Sequence, residues 1–327
     1  MFPFYPRMRQ GFFIPGVFLA IVLAFSWSEA AGSYFFSLLG DLAVASIFLV
    51  QGLALATRQM VSGIFPLRLH GFVLGWNFLV YPLLAVLILV PFSFLLPAEF
   101  FTGIIMLAVL PSTIASATAF TAAAHGAVPQ SIFSSILSNL SAIVIVPLIL
   151  LLYFGTGRGL EVSVIPVLEK LFLIVVLPLM IGQFFQLFQR ERATALGRSM
   201  KWLPEWAILY IVYLAFAESF LSGSFRALDT VQLVSVFFVL CFLLVCITIL
   251  VWYSSGLLKL SKEERIAAFF SASQKSIATG LPLLASFFKA SGLPPEIYAL
   301  LIIPLIIYHP LQLVWAGLLL SRLRRNR

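Results

Sequence analysis

Leu110-Pro111-Ser112-Thr113-Ile114-Ala115-Ser116-Ala117-Thr118-Ala119-Phe120-Thr121 interrupts an apolar run with a proline followed by small and hydroxylated residues. Ser271-Ala272-Ser273-Gln274-Lys275-Ser276-Ile277-Ala278-Thr279-Gly280-Leu281-Pro282 does the same further along the chain. Both stretches sit mid-way along runs near the ~20 residues a helix needs to cross hydrocarbon. Proline lacks the backbone donor and clashes with the preceding turn, so each run reads as a transmembrane helix broken at mid-depth. Unwound backbone is tolerated there only where it is buried in protein or lines a cavity. Paired Gly/Pro-interrupted segments at corresponding places in two halves are the best sequence pointer to a transporter site.

The surrounding composition supports a membrane setting. Of 327 residues, 62% are hydrophobic and 10% charged, too little charge to solvate the surface of a soluble domain. The runs are continuously apolar, which argues against an outer-membrane barrel with its alternating pattern. Ten spans are expected, at 11–28, 37–57, 71–94, 100–124, 127–155, 163–189, 203–222, 229–257, 264–288 and 294–321. No break between them is long enough for a separate soluble domain, so residues 1–327 read as one membrane unit. The first run follows Arg7 and Arg9 and has a secretory-leader character, but the hydrophobic segments that follow favour a retained first helix.

The net charge of +8 is spread over short loops and a basic tail, which signals membrane topology and lipid headgroups and no nucleic-acid partner. With ten spans, fifteen of the twenty Lys and Arg fall on the side of the termini. Arg158, Arg226 and Lys289 fall on the other, and Lys170 and Lys275 lie within spans. The positive-inside rule then puts both termini in the cytoplasm. The broken spans are fourth and ninth of ten, the same place in two five-helix halves, 11–155 and 163–321. Five is odd, so the halves have inverted topology.

Lys275 is the most informative single residue, since a lysine near the bilayer centre costs about 2.5–3.5 kcal/mol even on insertion scales. It reads as a fixed cation that binds an anionic substrate or replaces a transported cation. The plainer alternative is a lysine that satisfies helix-end carbonyls at the break, with Thr113 and Ser116 as further acceptors. Asn77 and Asn139 are mid-helix carboxamides, each an ion or substrate ligand or an interhelical tie. Ser131, Ser135 and Ser138 recur on one helical face, together with Ser134 nearby, and hydroxyl oxygens suit a hard cation. Glu218, His309, Asp41 and Gln51 are weaker candidates. Cys241 and Cys246 read as inert buried thiols. Enzyme signatures such as His-Glu-x-x-His, Gly-x-Ser-x-Gly or a Walker loop are absent.

Leu110–Thr121 with Gly126, Gln274-Lys275-Ser276 leading to Gly280, and Ile306-Ile307-Tyr308-His309-Pro310-Leu311-Gln312 resemble the bile acid:sodium symporter family, solute carrier family 10. The likeness is to its divergent seventh-member branch and bacterial SBF-like relatives. The resemblance implies an all-α polytopic fold of ten helices in two inverted repeats. Spans three to five and eight to ten form a core, spans one, two, six and seven a panel, and spans four and nine cross in the core. It implies substrate in the core–panel cleft and a bacterial inner membrane.

The same resemblance carries candidate sodium ligands to Ser116, Thr118, Ser131, Ser135, Asn77 and Gln274. Around them it groups Ser112, Thr113, Thr121, Ser138, Asn139, Ser273, Lys275 and Ser276. The family's usual span-nine Glu is missing, with no carboxylate between Glu264 and Glu296. A protonated lysine beside a sodium ion about 4 Å away opposes it by about 4 kcal/mol at an effective dielectric near 20. Ordinary two-sodium coupling is therefore not expected. The reading is a secondary transporter of a small organic anion, coupled to Na⁺, H⁺ or neither, with no cofactor beyond a sodium ion. The rivals are a non-transporting regulatory protein on the same scaffold and, ranked lower, a channel. Oligomeric state is not readable.

Overall fold

The computed structural model describes residues 10–54, 63–157, 164–223, 229–292, 294 and 297–325. Among them the secondary structure is helical, apart from one two-residue bridge. The principal helices are α1 (Gln10–Ser26), α2 (Tyr34–Ala54), α3 (Leu67–Phe92), α4 (Ala98–Ala108), α5 (Ile114–Ala123), α6 (Val128–Gly157) and α7 (Ile165–Phe188). They continue as α8 (Arg190–Ser199), α9 (Leu203–Ser222), α10 (Thr230–Ser255), α11 (Lys262–Ser273), α12 (Ile277–Ser291) and α13 (Tyr298–Arg325).

Seven of the described helices are long and apolar enough to cross a membrane. That is fewer than the ten runs expected, and the reason is local. The expected fourth and ninth runs are each divided, into α4 with α5 and α11 with α12. Halves of 10–15 residues rise only about 15–22 Å at 1.5 Å per residue, short of ~30 Å of hydrocarbon. The apolar stretch of α1, Pro15–Ser26, is also short. Large apolar side chains such as Phe18, Leu87, Leu152, Phe184 and Phe238 point outward, which makes the outer surface lipid-like.

Packing is close where residues are small. A Cβ on Gly52 would fall against the Leu179 carbonyl, and one on Gly182 against that of Leu49, so α2 and α7 touch backbone to backbone. Gln183 Nε2 donates to the Gly52 carbonyl at the same contact. α9 lies against α1 and α2, and α4 against α13. α5, α6, α11 and the first turns of α3 gather around the two breaks.

Candidate functional site

The two breaks meet. Val109–Thr113 leaves the helix after α4, and Gln274–Ser276 is extended between α11 and α12. Ser112 and Lys275 pair as a single antiparallel bridge, with the Ser276 N–H donating to the Pro111 carbonyl at 2.9 Å. In such a pair the N–H and C=O of the two opposed residues point away from each other, so both outer edges need partners. Each finds them on the second helix that follows in sequence, α6 for Ser112 and α13 for Lys275. The Ser112 N–H donates to Ser138 Oγ at 3.1 Å, and Asn139 Nδ2 donates to the Ser112 carbonyl at 2.7 Å. On the other side the Lys275 N–H donates to Gln312 Oε1 at 2.8 Å, and Gln312 Nε2 donates to the Lys275 carbonyl at 2.7 Å. Side chains of α6 and α13 thus take the place of neighbouring strands.

The Lys275 side chain is fully enclosed, at 1% exposure. Its Nζ donates to the carbonyls of Ala108 (2.7 Å), Leu110 (2.8 Å) and Asn77 (3.1 Å). Tyr81 presents its ring face 4.2 Å away. The Ala108 carbonyl ends α4, where the helix dipole is negative, and the Leu110 carbonyl lies two residues past it in the break. The third is freed by sequence: a π turn at Trp76–Val80 sends the Tyr81 N–H to the Trp76 carbonyl, and the next residue, Pro82, has no N–H to offer Asn77. An ammonium has three donors, and here all three are used. The expected hydroxyl acceptors Thr113 and Ser116 are not its partners, because unsatisfied backbone carbonyls are nearer and better aligned. The arrangement makes Lys275 an internal cation, with no N–H left to bind a substrate anion.

Most of the remaining candidates gather beside this centre. Ser116 Oγ donates to Gln274 Oε1 at 3.2 Å, and Ser112 Oγ lies 3.3 Å from Ser135 Oγ. Ser135 Oγ donates to the Thr113 carbonyl. Thr121, Ser131 and Ser271 form a hydroxyl chain at 3.3 and 3.1 Å. Asn77 Nδ2 donates to Ser138 Oγ at 3.2 Å. Ser276 Oγ caps α12 by accepting from the Thr279 N–H, and Ser273 is buried beside it. Asn77 Oδ1, Asn139 Oδ1 and Thr118 Oγ1 are buried acceptors without a hydrogen-bond partner among the described residues. Unsatisfied buried oxygens are what a bound cation would complete, so the donor set fits a sodium ion in chemistry though it lacks a carboxylate.

His309 stands one helical turn from Gln312, with Nδ1 3.1 Å from its Nε2. Since that nitrogen is a donor, His309 holds its own proton on Nε2. Glu218 lies elsewhere, in a cleft of about 380 Å³ bounded by α2, α9 and α12. Asp41 is in the same cleft, held by Lys289 at 2.7 Å and by Lys170 at 3.3 Å. Gln51 Nε2 donates to Thr279 Oγ1 at 3.2 Å. Sequence reasoning did not single out Tyr81, and it quoted Ser271, Tyr308 and Gln312 within their stretches without giving them a role. Tyr81 and Tyr308 share a 2.6 Å hydroxyl contact beneath Lys275, and a mid-span carboxamide at 312 was the one signal available.

Comparison with known proteins gives a consistent answer. YfeH of Escherichia coli is 28% identical over 94% of this chain and 91% of its own length. The sodium/bile acid cotransporter 7 of Danio rerio is 28% identical over 97% and 95%, and the cotransporter 7-B of Xenopus laevis 27% over 97% and 93%. The sequence profile of the SBF-like CPA transporter family matches residues 10–325, and with the broken apolar helices this makes the chain an integral membrane protein belonging to that transporter family.

Proposed function

We propose that this protein is a secondary transporter of a small organic anion that works by alternating access. It is built as ten spans in two inverted repeats, 11–155 and 163–321. The observation that carries the reading is the clasped pair of breaks. Ser112 is held by Ser138 and Asn139 from α6, the second helix after its break, and Lys275 by Gln312 from α13, the second helix after its own, the relation that an inverted repeat would impose. Spans three to five and eight to ten then form the core, and spans one, two, six and seven the panel, with the cleft between α2, α9 and α12 on their boundary. Both termini are cytoplasmic in this reading, and the membrane is a bacterial inner membrane.

Lys275 stands in for a cation in this scheme. Its ammonium rests on the carbonyl of Asn77, the residue matched to a ligand of the family's second sodium site. The hydroxyl set Ser116, Ser131 and Ser135 remains for one weak sodium site, with Thr118 and Gln274 beside it. Coupling to sodium is therefore weak, replaced by coupling to protons, or absent. Flux assays in proteoliposomes test the function, with radiolabelled cholate and taurocholate as anions and imposed Na⁺, H⁺ or no gradient. Saturable uptake under at least one condition is expected, and uptake no faster than in empty liposomes under all three would refute the reading.

A further inference from the structure

α2 and α12 run antiparallel in strict register. Asp41 meets Lys289, and ten residues along each helix Gln51 meets Thr279. About 15 Å of seam separates the two polar contacts. Between and beside them lies the 380 Å³ cleft, with Val44, Ile211, Leu214 and Phe288 supplying apolar walls. Its polar groups are unevenly satisfied. Lys289 Nζ donates to Asp41 Oδ2 at 2.7 Å and to the Ser37 carbonyl at 2.8 Å. Ser286 lines the cleft at 2% exposure, and its Oγ has no hydrogen-bond partner among the described residues.

We propose that this cleft is an anion site held shut by an anion of the protein itself: Asp41 occupies Lys289 when α2 and α12 are together, and the head group of an amphipathic monoanion takes its place on Lys289 Nζ and Ser286 Oγ when they part. The proposal rests on the transporter reading above. Asp41 is prepared for the exchange. Lys170 lies 3.3 Å from the same Oδ2, and it belongs to α7, which is packed backbone to backbone on α2. When α12 moves away, Asp41 keeps Lys170. Lys289, whose side chain is 35% exposed, loses Asp41 and the Ser37 carbonyl together, which leaves its ammonium available to an incoming anion. The apolar walls suit the body of an amphipath, with few polar groups to orient its head. Glu218 in the same lining is a carboxylate that disfavours a second negative charge on the ligand.

The test uses the full chain with Cys241→Ser and Cys246→Ser, a reporter Ala285→Cys in the cleft, and a membrane-impermeant thiol reagent on intact cells. Asp41→Asn and Lys289→Gln are each expected to raise the labelling rate about three- to tenfold, the size of one half-buried ion pair, while Lys289→Arg stays near the parent rate. Decanoate and decanesulfonate should slow labelling of the Asp41→Asn protein and not of Asp41→Asn with Lys289→Gln. Unchanged labelling in Asp41→Asn and Lys289→Gln overturns the latch. Equal protection of both backgrounds, or protection of neither, overturns Lys289 as the anion-binding group. Anion flux in proteoliposomes without a labelling response removes the latch and leaves transport standing; a labelling response without flux does the reverse.

Discussion

Replacing Lys275 by alanine tests the internal-cation argument most directly. The substitution orphans the carbonyls of Asn77, Ala108 and Leu110, at about 1–3 kcal/mol for each buried unsatisfied group. Removing a buried ammonium returns several kcal/mol of desolvation cost. The balance is a net destabilisation on the order of 3 kcal/mol in a medium without small cations. The same change opens a pocket walled by three carbonyl oxygens, a set of hard ligands suited to Na⁺. Sodium binding only to the folded variant stabilises it by about 2.7 kcal/mol at a concentration 100 times its Kd. The assay is thermal unfolding in detergent, in choline chloride and in sodium chloride at equal ionic strength. Wild type should melt at nearly the same temperature in both salts. Lys275→Ala should melt several degrees lower in choline and regain most of that loss in sodium. If sodium shifts both proteins equally, Lys275 does not occupy a cation's place, and it serves only to satisfy helix-end carbonyls.

Gln312→Leu removes both hydrogen bonds on the outer edge of Lys275 and is expected to cost about 2–4 kcal/mol in denaturant titration. A Tyr81→Phe, Tyr308→Phe double-mutant cycle should give a coupling of about 1 kcal/mol for the 2.6 Å hydroxyl contact. Gly52→Val should abolish recovery of folded protein in size-exclusion chromatography, because the side chain has only the α7 backbone to displace. Protease tags at either end should resist digestion in intact spheroplasts and be cut in inside-out vesicles if both termini are cytoplasmic.

The places where the chain breaks were legible because their causes are residue types. Pro111 lacks an N–H, and the serines and threonines around it compete for backbone groups. The same chemistry marks the run from Ser271 to Pro282. The partners of Lys275 were not legible, because its acceptors are backbone carbonyls, and a carbonyl at position 77, 108 or 110 has no signature in residue identity. Pro82 alone hints at a free carbonyl, but at Phe78 in a regular α-helix; it is the π turn, which shifts the ladder by one residue, that moves the loss to Asn77. The Asp41 cluster was hidden for another reason: its members stand 129 and 248 positions apart, and each alone reads as a charge near a span end. Only seven of the described helices qualify singly as crossing helices, for a periodicity scan joins two half-helices that a shared break keeps apart.

The break itself carries an argument about why a lysine and a carboxamide stand where they do. Unwinding two helices in the membrane exposes the backbone of Ser112 and Lys275, and a bilayer offers no water to satisfy it. Pairing the two segments solves half of the problem. The other half falls to Asn139 with Ser138, and to Gln312, whose carboxamides and hydroxyl present a donor and an acceptor at the spacing of a peptide group. The surplus carbonyls at the end of α4 then need a donor with charge, and Lys275 brings it from the opposite segment. Each half therefore supplies what the other lacks. A motion that shears the bridge has to break the peptide clasps and the lysine contacts together, so the crossing moves as one rigid piece. In the proposed core-and-panel arrangement, the give between the two comes from weaker seams, of which the contact of α2 with α12 is one.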